Sequence, residues 1–275
     1  MSLANNMTRR LASTVNVEIN KKGVALLTMR RPPVNSLNSD LLGALKITLN
    51  DLEKERVAGA ILTSALKTFS AGLDLTVLYK PHPEKVKELW NSLQDAWIAL
   101  YSSSFPTVAV INGPAPAGGS LLPMCCDYRL IVPKAYLGLS ETRLGLISPP
   151  LFAATMINII GRRHSELALT AGKLFSSEEA LNVGLVDEIV ASKEEGLDKG
   201  YDFLQGFKDV SPWGRNRSKQ MLRGRTLRNM VEGREEDLKG FVEMVQRQDV
   251  QQYIEDYLNS LKKTSQDKSE IKNTP

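Results

Sequence analysis

The chain has 275 residues, of which 42% are hydrophobic and 24% charged, and a formal net charge of +4. That balance excludes a largely disordered chain and leaves one large domain, or a domain with an appendage, built on a sizeable core. The charge excess is too mild to mark a nucleic-acid binder by itself, and the best membrane-span candidate, residues 144–160, is broken by Pro149 and Pro150.

Residues 1–14 carry Arg9, Arg10, several Ser and Thr and no acid. They read as a short mitochondrial transit peptide or a disordered leader. The final residues read KNTP, so a peroxisomal SKL address is not expected. Val15–Ile19 alternates and predicts a strand, and Val24–Met29 predicts a second, joined through Lys21-Lys22-Gly23 as a hairpin. Arg31-Pro32-Pro33 breaks the pattern. Asn38 or Ser39 then caps a helix with Leu41, Leu45, Leu49 and Leu52 at helical spacing. A buried strand follows at 60–63, and a helix is marked by Leu89, Leu93, Trp97 and Leu100. Strands are predicted at 107–111 and 128–132.

Strand and helix therefore alternate through the first two-thirds, which predicts an α/β class. From about Pro150 strands nearly vanish, apart from 186–190. Helical patterns occupy 177–183, 197–207, 218–222, 236–245 and 252–261. The predicted organisation is a leader at 1–14, a layered core at 15–200, a helical region at 201–262 and a frayed tail at 263–275. Leu238, Phe241, Val242 and Val245 give the helical region more apolar surface than a free helix needs, so it is expected to pack on the body or on a second subunit.

Cys125 and Cys126 are adjacent in an apolar context and read as free thiols used as small core residues. His82 and His164 are far apart, so no histidine-based metal site is predicted, and His164 is expected on a helix surface.

Three segments carry candidate chemistry. Phe69-Ser70-Ala71-Gly72-Leu73-Asp74-Leu75 follows a strand with small residues that let a ligand approach the backbone. Residues 111–120, INGPAPAGGS, run from a strand into an apolar helix beginning near Gly119, whose first N–H groups have no partner within the helix. Residues 137–145, LGLSETRLG, place one carboxylate, Glu141, just after a short strand. Each alone is unspecific. A Gly-Gly pair is more often a turn than an anion cradle, and a Ser-Glu pair is usually a solvated helix start.

Together and in this order, with RPPVNSL near the start, CDYRL after the glycine loop and TAGKLFSSEEALNVGLVDEIV later, they resemble the crotonase (enoyl-CoA hydratase/isomerase) superfamily over about residues 15–260. The resemblance implies a crotonase-like spiral of ββα units followed by a helical C-terminal trimerisation region, hence a homotrimer. It implies an acyl-CoA thioester substrate and no separate cofactor, coenzyme A being part of the substrate. The backbone N–H groups of Leu73 and Gly118 match the family's oxyanion-hole donors. Ala71, Gly72, Leu73, Asp74, Leu75, Gly118 and Ser140 would line the substrate, and Glu141 would be the catalytic base. Arg30 and Arg31 could meet CoA phosphates, although basic loop residues are more often solvated.

Removing a proton next to a thioester builds negative charge on its oxygen. Two fixed donors stabilise that charge, and losing one typically costs about 100- to 1,000-fold in rate. Hydration in the superfamily uses two carboxylates, and Leu121 stands where the first would be. One carboxylate in an apolar pocket instead suits a proton shuttle from C2 to C4, the pattern of the Δ3,Δ2-enoyl-CoA isomerase branch. That implies β-oxidation of unsaturated fatty acids in the mitochondrial matrix. Ser140 stands where that branch usually has an amide. Asp74 is expected to cap the next helix and Asp127 to be structural. The rival readings are another acyl-CoA chemistry, a dead enzyme kept for assembly, or an RNA-binding member of the fold. The last would use the basic stretch 215–228, which lacks interleaved aromatics for base stacking, so no nucleic-acid partner is expected.

Overall fold

The computed structural model describes the backbone of residues 7–12 and 14–272, and side chains from 14 to 261. Strands β1 (Met7–Ala12), β2 (Val15–Ile19) and β3 (Val24–Met29) pair antiparallel in succession. The β2–β3 hairpin is the predicted one, and the Asn20 side chain closes it by accepting from the amides of Lys22 (2.9 Å) and Val24 (3.1 Å). Residues 7–12 of the expected leader thus join the sheet, while 1–6 and 13 lie outside the described residues.

Helix α1 (Ser39–Glu55) starts at Asn38, whose side chain accepts from Leu41 N at 3.0 Å. Then come β4 (Gly59–Ser64), α2 (Leu75–Leu78), α3 (Pro83–Tyr101), β5 (Thr107–Ile111), β6 (Ala115–Pro116), α4 (Gly118–Cys125), β7 (Tyr128–Ile131) and β8 (Tyr136–Gly138). A single 3-10 turn, Glu141–Leu144, leads to α5 (Pro150–Ala171), β9 (Phe175–Ser176), α6 (Ser177–Asn182), β10 (Glu188–Ile189) and α7 (Lys193–Gln205). The chain finishes with α8 (Pro212–Glu232), α9 (Arg234–Val245) and α10 (Gln248–Lys272). The main sheet runs β1-β2-β3-β4-β5-β7-β10 and is parallel from β3 onward; β6, β8 and β9 form a small second sheet.

Strands β4 and β5 are buried along their whole length because both faces of the sheet are covered. Ala60, Leu62, Ala109 and Ile111 face the large core with α1 and α3, whereas Ile61, Val108 and Val110 face a smaller cluster with Leu204 of α7. Helix α7 still backs the sheet, and from α8 onward the described elements are helical. The tail expected to fray from 263 continues α10 to Lys272, and residues 273–275 lie outside the described residues.

The C-terminal helices fold back on the body. Trp90 of α3 stacks on Phe241 of α9 at 3.6 Å between centroids, and its indole N–H donates to Asp237 at 2.7 Å. Helix α10 reaches α2, where Tyr79 Oη donates to Glu255 (2.7 Å) and Gln251 Nε2 donates to Leu78 O (2.8 Å). It also reaches the 3-10 turn. A Cβ at Gly145, whose φ is +66°, would stand 2.5 Å from the Tyr253 ring.

Helix α8 is anchored by Asp127, which pairs with Arg215 (2.6 Å), Lys219 (3.1 Å) and Arg223 (3.0 Å). Burial alone would push the Asp127 carboxyl up, but the cations of Lys219, Arg223 and Arg215 outweigh it and hold it below the usual range. Replacing Asp127 by Asn should cost about 3–5 kcal/mol of unfolding free energy, because it leaves three cations together without a counter-charge; urea titration of the two proteins measures this.

Candidate active site

The first candidate segment is locked by the motif before α1. Asn35, buried at φ +49°, donates through its amide to Ser64 Oγ (2.7 Å) and Phe69 O (3.0 Å), while Ser70 Oγ donates back to Asn35 O (2.8 Å). Ala71 N donates to Val34 O, Leu37 N to Gly72 O and Asp74 N to Leu37 O, at 3.0, 2.8 and 3.0 Å. Arg31 closes the lacing with an ion pair to Asp74 at 2.9 Å. The backbone from Ala71 to Asp74 is therefore held in place, with Leu73 opposite Leu37 in a single parallel bridge.

The second segment is set against the first by close approach. Ala117, the N-cap of α4, sits at φ 50°, ψ −131°, and its N–H donates to Gly138 O at 2.8 Å. Such a conformation in a non-glycine residue costs on the order of 1–3 kcal/mol and persists only where its surroundings enforce it. It turns the chain so that α4 begins at Gly118. A side chain at Gly119 is impossible, since its Cβ would fall 2.3 Å from Ser70 O. A Cβ on Gly118 would lie 3.4 Å from Leu73 N, so these two amides are neighbours. Among the described residues neither the Leu73 nor the Gly118 N–H donates to any acceptor. Two adjacent unspent donors, one at a helix N-terminus, can hold an oxygen that gains negative charge.

The third segment leaves the strand next door. β6 and β8 are parallel, with Pro116 opposite Gly138, so the loops bearing Gly118 and Glu141 emerge from the same end of adjacent strands. Ser120 joins the strands: its hydroxyl accepts from Gly138 N at 2.6 Å and donates to Ala115 O. The 3-10 turn then carries Glu141 inward, where it is 7% exposed. Ser148 Oγ donates to its Oε2 at 3.0 Å, and Oε1 is buried with no partner among the described residues. Burial pushes the Glu141 carboxyl up from its ordinary 4.5 to about 7, against the hydrogen bonds from its own backbone and Ser148. A carboxylate with that proton affinity and one free oxygen can take up and return a proton near neutral pH.

The remaining sequence candidates fall outside this chemistry. Asp74 caps α2, accepting from Thr76 N at 3.2 Å, and is paired with Arg31, so Arg31 is committed within the protein. Arg30 and His164 are exposed, and both cysteines are buried thiols. Leu121 and Leu122 are buried on α4. Within 215–228, Arg215, Lys219 and Arg223 turn inward onto Asp127 and main-chain carbonyls. Ser140, half-buried, caps the 3-10 turn. Sequence inspection overlooked Asn35, Ser120 and Ser148. Each lies inside or beside a quoted motif, but a lone small polar residue gives no hint that it is buried and bonded.

Comparison with known proteins agrees with this arrangement. The family model "Enoyl-CoA hydratase/isomerase" matches residues 19–268. Enoyl-CoA delta isomerase 1, mitochondrial, of Mus musculus is 39% identical over 244 residues, covering 87% of this chain and 84% of that protein. The Homo sapiens protein of the same name is 38% identical, covering 87% and 80%. The crystal structure of human mitochondrial delta3-delta2-enoyl-CoA isomerase superimposes with a TM-score of 0.88 at 37% identity, covering 92% of this chain and 99% of that one. An enoyl-CoA hydratase structure from Bacillus halodurans, 24% identical with a TM-score of 0.81 over 88% of this chain and 99% of that one, shares the fold.

Folding raises the Glu141 value above the unfolded one, so folding favours its neutral form. That stabilisation is complete below about pH 4.5 and is lost as the pH rises through about 7. Glu141→Gln should therefore be more stable than the wild type at pH 8.5, by roughly 1–3 kcal/mol, with the gap closing by pH 5. Thermal melts of both proteins at the two pH values measure this.

Proposed function

This chain belongs to the enoyl-CoA hydratase/isomerase family, and we propose that a single buried glutamate, Glu141, carries its chemistry. It is an enzyme, an isomerase acting on enoyl-CoA, as are relatives named enoyl-CoA delta isomerase at 37 to 39% identity. In the proposed reaction a 3-enoyl-CoA, cis or trans, becomes 2-trans-enoyl-CoA. The C2–H bond breaks and its proton passes to the Glu141 carboxylate. The electron pair spreads through a dienolate onto the thioester oxygen, held by the N–H groups of Leu73 and Gly118. Protonated Glu141 then returns the proton to C4, and the double bond settles between C2 and C3. Coenzyme A enters as part of the substrate, lying along Ala71, Gly72, Leu73, Asp74, Leu75, Gly118 and Ser140, and no further cofactor takes part.

The observation that carries this reading is the state of Glu141: buried, with one oxygen free and its pKa pushed up to about 7. Leu121, fully buried on α4, can neither hold a water nor transfer a proton, which favours isomerisation over hydration. The same proposal places the enzyme in the mitochondrial matrix, in β-oxidation of unsaturated fatty acids, which the mitochondrial names of its relatives support. It also makes the enzyme a homotrimer. Trp213, Met221 and Leu222, strongly exposed on α8, support a subunit contact there.

Coupled assays with 3-cis-, 3-trans- and 2-trans-enoyl-CoA test the reaction. The 3-enoyl substrates should be converted and hydration of the 2-enoyl should be negligible. Glu141→Gln should lose about 100-fold or more in kcat. Because the base must be ionised, wild-type kcat should rise with pH through an acid limb near 7. Fast hydration, or an unimpaired Glu141→Gln, would overturn the proposal.

A further inference from the structure

We propose that Ser148 is the positioning residue for the base, fixing which oxygen of Glu141 carries the proton; this rests on the role proposed above for Glu141. Ser148 is 9% exposed and its hydroxyl lies 3.0 Å from Oε2. An ionised carboxylate only accepts, so the serine must donate. Oε2 is thereby occupied, and Oε1 is the oxygen without a partner among the described residues.

Residue 140 does not do this. Ser140 makes no side-chain hydrogen bond to the turn that it caps. Ser148 is fixed from both sides instead. Leu146 N donates to Glu141 O at 3.1 Å, folding the chain back over the turn, and Pro149 follows as the N-cap of α5. The orientation of the carboxylate is thus set from seven residues downstream rather than from the residue before it.

The consequence for the reaction is specific. An unrestrained carboxylate rotates, so a proton collected on one oxygen can be presented elsewhere or lost to water. With Oε2 held, the proton from C2 forms its bond to Oε1, and the same Oε1–H bond breaks when the proton is delivered to C4. No other reactant is needed. The serine contact persists throughout, because the carbonyl-like Oε2 of the protonated acid still accepts. The same hydrogen bond stabilises the ionised form, so it also limits how far burial raises the proton affinity of the base.

The test compares wild type, Ser148→Ala, Ser148→Thr and Glu141→Gln with a 3-enoyl-CoA across pH 5.5–9.5, and repeats the reaction in D2O. In Ser148→Ala the acid limb of kcat should move up by about one pH unit, and kcat at pH 7 should fall about 10-fold, with KM changed less than about twofold. More solvent deuterium should appear at C4 of its product than in the wild type. Ser148→Thr, which keeps the hydroxyl, should restore the wild-type limb. An unmoved limb in Ser148→Ala, or no rescue by threonine, overturns the positioning role while an inactive Glu141→Gln leaves the base in place. A fully active Glu141→Gln overturns both. Should Ser148→Ala not fold, Ser148→Cys replaces it: its weaker donor should give a smaller upward shift, and no shift overturns the proposal.

Discussion

The parallel pairing of β6 with β8 is the constraint on which the site depends. It is only two residues long, yet the loops that leave it carry both Gly118 and Glu141. Neighbouring strands lie roughly 4.8 Å apart, so this pairing sets the spacing between the donor loop and the carboxylate turn. Ser120 secures the pair with its hydroxyl, and Ala117 is held in an unfavourable conformation by its bond to Gly138. The Leu73 amide is brought to this pair by a different route, through Asn35, Ser70 and the Arg31–Asp74 ion pair. The site is thus two pieces of backbone, joined by the amides of Phe69 and Ser70 on Pro114 O and pressed together where Gly119 leaves no room for a side chain.

The chemistry and the stability of this region pull in opposite directions. A carboxylate that was well hydrogen-bonded and exposed would suit folding and would be a weak base near neutral pH. Glu141 is instead buried, with one oxygen lacking a partner among the described residues. That arrangement burdens the ionised fold, and the surrounding core absorbs the burden. The buried tryptophans of α3 and the ion-pair hub at Asp127 hold the flanking helices firmly. The strain at Ala117 belongs to the same pattern of local cost concentrated at the candidate site.

Much of the layered architecture was legible in the residue pattern. Alternation at 15–19, the strand patterns at 24–29, 60–63 and 107–111, and the Asn38 cap each correspond to an observed element, because each is a local signal with one physical cause. The motifs also marked the loops bearing Leu73, Gly118 and Glu141. What the pattern did not reveal is long-range. Nothing local says that Ser148 will bond to Glu141, that Ser120 will tie two strands together, or that Arg31 will turn from solvent to Asp74. Nor could periodicity separate α7 from the helices after it, since an amphipathic helix looks alike whether it covers a sheet or another helix. The basic stretch of α8 was ambiguous for the same reason: the charges at 215, 219 and 223 point inward only because Asp127 lies beneath them.

The reach of α10 has a bearing on how the protein is made. Residues 251–255 grip α2, close behind Leu73, and the turn that begins with Glu141. These two regions are complete on the ribosome long before the helix that clamps them has been synthesised. While a nascent chain is assembling its sheet, the carboxylate turn is still without its contact from Tyr253 of α10. The turn bearing Glu141 thus depends for one of its walls on a segment translated well after it.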